Sequence, residues 1–194
     1  MFKAIIDSNT FLSILEPRHA EELFHLIDYN RDSIGKWLAF PASTTEVHHT
    51  KTFIEKSLHR FTSANGYWAG IWYRGKLAGS IGYLYIDRGN HKTEIGYWLG
   101  KDFEGYGLAT KACDLFIQHA FTDLQLTKVE INMASKNSKS KAIPERLGFT
   151  EEGRIRNYEL LHGEYHDRII YGLLKEEWKE NLNVSTSQRS LLSL

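Results

Sequence analysis

A strand carboxylate followed closely by a glycine turn that opens a helix is a pairing with chemical meaning. Here Glu94 lies in Glu94-Ile95-Gly96-Tyr97-Trp98-Leu99-Gly100, and Phe103-Glu104-Gly105-Tyr106-Gly107-Leu108-Ala109-Thr110 comes directly after. A carboxylate can take a proton from a nucleophile. A glycine turn at a helix start presents unpaired backbone N–H groups at the positive end of the helix dipole, which suits a phosphate or pyrophosphate. Together they describe an enzyme that holds a phosphate-bearing cofactor beside a general base. Two competing phosphate loops fail on spacing: there is no Gly-Lys-Ser/Thr of a Walker loop, and a dinucleotide fingerprint needs a third glycine near position 110, where the chain has Thr110. The bland alternatives stay open on the residues alone: a tight turn for the loop, a solvated edge residue for Glu94.

These groups need elements to position them. Thr93, Ile95, Tyr97 and Leu99 alternate with Glu94, Gly96 and Trp98, the period of a strand. Leu108, Ala109, Ala112, Cys113, Phe116, Ile117 and Ala120 recur at helical spacing, with Lys111, Asp114 and Gln118 opposite. Upstream, the pattern predicts a strand over 11–15 and a helix opening at Pro17 with Ala20, Leu23, Phe24 and Ile27 inward. A short helix over 33–38 ends before Pro41. A third helix, capped by Thr44 or Thr45, buries Val47, Phe53, Ile54, Leu58 and Phe61. Strands over 67–73 and 76–86 meet at an Arg74-Gly75 turn. Downstream come a strand over 128–134, a helix over 138–146 ending near Gly148, and strands over 149–156 and 168–174. This order is not regular βαβα alternation. It predicts an α+β fold, a mixed and mostly antiparallel sheet with helices on both faces. Residues 1–180 read as one domain and 181–194, polar and serine-rich, as a mobile tail.

Composition narrows the classes. The chain has 194 residues, 42% of them hydrophobic, with five Trp, ten Tyr and ten Phe, ample for one core. Lys+Arg and Asp+Glu are 24 each, so nothing in the charge favours nucleic acid or an anionic membrane as partner. The single cysteine, Cys113, excludes an intramolecular disulfide, and neither His-Glu-x-x-His nor Cys/His ligand spacing occurs, so no metal is expected. With no signal-like or membrane-spanning apolar run, the reading is a soluble, cytoplasmic protein.

Three segments in order also resemble a known family. Glu104-Gly105-Tyr106-Gly107-Leu108-Ala109 resembles the coenzyme A pyrophosphate signature of GCN5-related N-acetyltransferases (GNAT), with Glu104 where Gln or Arg is usual. Asn137-Ser138-Lys139-Ser140-Lys141-Ala142-Ile143-Pro144-Glu145-Arg146-Leu147-Gly148-Phe149 resembles the later Asn-x-x-Ser…Leu-Gly-Phe segment. Asn30-Arg31-Asp32-Ser33-Ile34-Gly35-Lys36-Trp37-Leu38 is similar to a signature of the RimJ/RimL-like branch, which acetylates ribosomal-protein N-termini.

The resemblance implies an acetyl-CoA-dependent N-acetyltransferase with the GNAT fold, often a homodimer, whose acceptor is the N-terminal α-amine of a protein such as a ribosomal one. A small amine such as a polyamine, amino acid or antibiotic, or a non-catalytic coenzyme A-binding sensor, are the alternatives. It implies that the N–H groups of Gly105 to Thr110 hold the pyrophosphate, while Glu104 turns outward or pairs with a lysine such as Lys101. Glu94 is the implied general base, acting through a water. A backbone N–H near Trp98, Leu99 or Gly100 holds the oxyanion. Pro144 occupies the place of the family's usual tyrosine acid, which leaves Ser140 as acid or merely as a helix-packing residue. Asn137 contacts the pantetheine arm or caps the helix. Asn30, Arg31 and Trp37 line the acceptor groove, or Trp37 packs in the core and Arg31 stays solvated. Cys113, on an apolar helix face, is a core residue, which favours direct transfer without an acyl-enzyme.

Overall fold

The computed structural model describes residues 3–180. The expected tail over 181–194 lies outside them. One eight-stranded sheet dominates, in the order β1-β2-β3-β4-β5-β6-β8-β7. Its strands are β1 (Lys3–Ile5), β2 (Thr10–Ile14), β3 (Trp68–Tyr73), β4 (Lys76–Asp87), β5 (Lys92–Leu99), β6 (Lys128–Ala134), β7 (Thr150–Leu161) and β8 (Glu164–Leu174). Every neighbouring pair is antiparallel except β5 and β6. The fold is the expected α+β arrangement.

The helices are α1 (Ala20–Tyr29), α2 (Arg31–Gly35), α3 (Phe40–Ser43), α4 (Val47–Thr62), α5 (Leu108–Thr122) and α6 (Ser138–Arg146). They divide between the two faces of the sheet. Leu108, Ala112, Cys113, Phe116 and Ile117 of α5 bury against Ile71, Ile81, Ile95, Val129 and Ile131. On the opposite face Leu23 and Ile27 of α1 and Ile54 of α4 pack with Leu77 and Trp98. Strand alternation therefore sends Ile95 and Trp98 into different cores, while Glu94 shares the Trp98 face. Among the described residues no helix is long and apolar enough to cross a membrane.

Several local expectations are corrected. The short helix forms over Arg31–Gly35, and a further one over Phe40–Ser43 takes Pro41 into its first turn instead of stopping before it. Thr44 closes α3 by donating to the Phe40 carbonyl (2.9 Å), so it does not cap α4. Glu46 caps α4 instead, through a reciprocal box with His49. Val47 and Phe53 are exposed, because the inward stripe of α4 runs through Thr50, Ile54 and Ser57. Thr50 donates to the Ala20 carbonyl (2.7 Å) and Ser57 accepts from the Trp68 N–H (2.8 Å), so small polar groups join helix to helix and helix to sheet. The last two strands run past their predicted ends and meet at His162-Gly163, both at positive φ, the geometry of a tight hairpin turn.

Candidate active site

β5 and β6 pair only from Lys92–Glu94 against Lys128–Glu130. Beyond that, β5 continues along β4 and β6 along β8, so the two strands part. A groove of about 1810 Å³ occupies the split. Its walls come from the glycine loop, the first turn of α5, α6, the segment joining α2 to α3, and the β7–β8 arm.

The glycine loop ends in Gly107, the N-cap of α5, in the left-handed region at φ 72°; Gly105 is also left-handed, at φ 83°. A Cβ built on either would meet nothing within 4 Å, so both glycines face open space. Buried Leu108 and Ala109 anchor the helix start from beneath. The first intrahelical bond is Lys111 N–H to the Gly107 carbonyl (3.0 Å), so the N–H groups of Leu108, Ala109 and Thr110 precede any helical partner. Two cations stand nearby: Lys139, paired with Glu104 at 2.5 Å, and Arg146, which donates to Thr110 Oγ1 at 2.9 Å. Free amides, a dipole end and adjacent cations fit a pyrophosphate. Glu104 pairs with Lys139 rather than Lys101; the Lys101 backbone N–H donates to Asn30 Oδ1 (2.8 Å). Tyr106 is not part of the groove wall: its ring lies over Tyr73, centroids 5.2 Å apart and tilted by 31°, and remains 54% exposed.

Glu94 sits in the groove wall yet is only 8% exposed. Arg168 of β8 donates to its Oε1, and the Arg168 guanidinium lies 4.6 Å from the centre of the Tyr158 ring. Burial raises the Glu94 carboxyl above the usual carboxylate range; Arg168 and the Asn132 side chain pull it back, and neighbouring Glu130 adds to the rise. The result is a carboxylate made more basic than usual, held in one orientation.

Asn137 is the N-cap of α6 and accepts from the Ser140 N–H (3.2 Å). Ser140 faces the groove. Its Oγ lies 3.1 Å from the Tyr97 hydroxyl, which also lies 3.0 Å from the Ser140 carbonyl oxygen. On β5, Gly100 N–H donates to Ala78 across to β4 (2.9 Å). Antiparallel alternation turns the Trp98 N–H the same way and the Leu99 N–H to the other side, toward the split. Of the expected oxyanion donors, Leu99 is the one with this aspect.

The expected acceptor residues separate. Trp37 lines the groove, its ring edge-on to His166 with centroids 6.1 Å apart. Asn30 and Arg31 do not. Asn30 is buried, donating to the Leu26 carbonyl (2.9 Å) while accepting from Lys101 N–H, so it joins α1 to the approach of the glycine loop. Arg31 donates to Asp28 (2.7 Å), to the Thr44 carbonyl (2.8 Å) and to the Pro41 carbonyl, which fastens α2 to α3. Both shape the wall from behind. The arm closes on the same wall, with His162 Nε2 donating to the Gly35 carbonyl (2.7 Å).

The sequence reading gave no role to several groove residues, among them Asn132, Lys139, Arg146, Glu159, Arg168 and the Tyr97 hydroxyl. Arg168 left a signal, a charge at the start of the strand predicted over 168–174. Among the described residues, no group of three or more His, Cys, Asp or Glu is placed to hold a metal.

The acetyltransferase (GNAT) domain family matches residues 10–150. A Bacillus subtilis protein named "Putative ribosomal N-acetyltransferase YdaF" is 41% identical over 92% of this chain and 98% of its own. The crystal structure of the microcin C7 self-immunity acetyltransferase MccE, in complex with acetyl-CoA and AMP, is 32% identical, with a TM-score of 0.83 over 87% of this chain and 94% of that one. RimL, a ribosomal L7/L12 α-N-protein acetyltransferase crystallised with coenzyme A, shares the fold at a TM-score of 0.86 and 23% identity, over 89% of this chain and 97% of its own. With the split sheet, the glycine loop and these relatives in place, the chain belongs to the GNAT acetyltransferases.

Proposed function

We propose that the protein transfers the acetyl group of acetyl-CoA to the N-terminal α-amine of a protein, ribosomal proteins foremost. The carrying observation is that one groove is lined at once by the glycine loop, Ser140 and Glu94. Acetyl-CoA brings the activated thioester carbonyl. The amides of Gly105 to Thr110, with Lys139 and Arg146 beside them, hold its pyrophosphate.

Glu94, raised by burial, takes the proton of the attacking amine through a water, because a protonated amine cannot attack a carbonyl. The Leu99 N–H donates to the oxygen that becomes negative in the tetrahedral intermediate. When the carbon–sulfur bond breaks, its electron pair stays on sulfur, and Ser140 Oγ–H donates to that anion. Cys113 takes no part: it is fully buried in the α5 core, and burial pushes its thiol far up.

An extended acceptor accords with the open groove and with its aromatic wall of Trp37, Phe40 and Trp68. The test is coenzyme A release against Ser- and Ala-starting peptides, polyamines, amino acids and aminoglycosides, with intact-mass detection of product. Turnover confined to peptides supports the proposal. Turnover confined to small amines replaces the acceptor class, and tight binding of acetyl-CoA without turnover on any acceptor contradicts the enzyme reading.

A further inference from the structure

Pro144 lies inside α6 and is buried. Proline has no N–H, so the carbonyl one helical turn earlier, that of Ser140, lacks its i→i−4 donor. A half-buried carbonyl that loses this partner gains from another donor. The Tyr97 hydroxyl, arriving from β5, meets that carbonyl oxygen at 3.0 Å and the Ser140 Oγ at 3.1 Å. One phenol therefore touches both oxygens of a single residue, and that residue faces the groove.

We propose that Tyr97 is the positioning residue of the Ser140 hydroxyl, retained in that role by the helix carbonyl that Pro144 leaves free. This rests on Ser140 being the donor to the leaving sulfur. A serine hydroxyl on a groove wall rotates freely, and an unoriented donor contributes little to a transition state. Tyr97 limits that freedom. When Ser140 turns its proton toward sulfur, the Tyr97 proton bridges the serine's oxygen and carbonyl, so neither loses its partner. No net proton leaves Tyr97, and burial, which drives its phenol far above the ordinary value, keeps it a hydrogen-bond donor throughout.

A purely structural role for Tyr97 would be to satisfy the carbonyl. Pro144→Ala separates the two roles, because alanine restores an N–H that can satisfy the carbonyl from within the helix. The experiment measures kcat, KM for acetyl-CoA and thermal midpoint for Tyr97→Phe, Ser140→Ala, their double variant and Tyr97→Phe/Pro144→Ala. The expected result is that Tyr97→Phe lowers kcat by about tenfold at unchanged KM, a fraction of what a proton donor contributes. The effect vanishes in the Ser140→Ala background, because the two act through one hydroxyl. Tyr97→Phe/Pro144→Ala regains the thermal midpoint but stays slow. Wild-type kcat in that last variant, or additive losses in Tyr97→Phe/Ser140→Ala, overturns the role of Tyr97. Wild-type kcat in Ser140→Ala overturns the underlying assignment of Ser140 instead, and the positioning role with it.

Discussion

Arg168 reaches Glu94 across an intervening strand: β8 and β5 both flank β6, and the guanidinium donates to the carboxylate over the face of β6 that carries Asn132. The pair opposes the effect of burial. Burial raises the Glu94 carboxyl, and Arg168 lowers it. Arg168→Ala should therefore raise that carboxyl further. Since the base must be ionised to accept a proton, the acid limb of the pH profile of kcat/KM should move to higher pH. At neutral pH activity falls, and raising the pH recovers part of it. An unmoved acid limb would mean that Glu94 is not the group being titrated.

Gly107 caps α5 in the left-handed region, with open groove where a side chain would stand. Gly107→Asp places a carboxylate against the expected pyrophosphate and should weaken acetyl-CoA binding by at least about tenfold, roughly 1.4 kcal/mol. The positive φ adds about 1 kcal/mol of lost stability. Isothermal titration and thermal melting read the two effects separately. Wild-type affinity in a folded variant would remove the phosphate assignment of the loop.

Glu104 and Lys139 form an ion pair at the mouth of the loop, both partly solvated, with side chains 37% and 78% exposed. An exposed pair of this kind contributes little to stability. Its consequence for binding is larger, because the carboxylate competes with phosphate for Lys139. Glu104→Gln should tighten acetyl-CoA severalfold at low salt with no change in thermal midpoint, and the gain should shrink at high salt. A weaker complex would show that Glu104 helps to place Lys139 rather than compete for it.

The site was legible where local pattern and chemistry coincide. Glu94 sits in a clean two-residue alternation, and the glycines precede a clean helical stripe, so both were readable along with the elements that carry them. What escaped depends on contacts between distant segments. Tyr97 was legible as an inward strand residue, but nothing local says that its hydroxyl meets a carbonyl freed by Pro144. Arg168 opens a strand that was readable, but nothing local says that its guanidinium meets Glu94, and Glu159 lies in β7, which is exposed at nearly every position before Leu161, so the hydrophobic alternation that marks a strand is erased there. Asn30 and Arg31 were placed in the groove by resemblance to a signature. Their hydrogen bonds instead join backbone segments behind it, where a buried Asn or an Arg with carbonyl acceptors serves packing.

The most direct test of the account compares Glu94→Gln with Glu159→Gln, a carboxylate that lines the groove from the β7–β8 arm. For each, the rate of acetyl transfer to the best acceptor and the affinity for acetyl-CoA are measured. Glu94→Gln should lower kcat by about 10² to 10³ with acetyl-CoA affinity unchanged, the scale of a lost general base, while Glu159→Gln changes kcat much less. Near-wild-type transfer by Glu94→Gln, with the loss appearing in Glu159→Gln, would contradict the assignment of the base and move it to the β7–β8 arm.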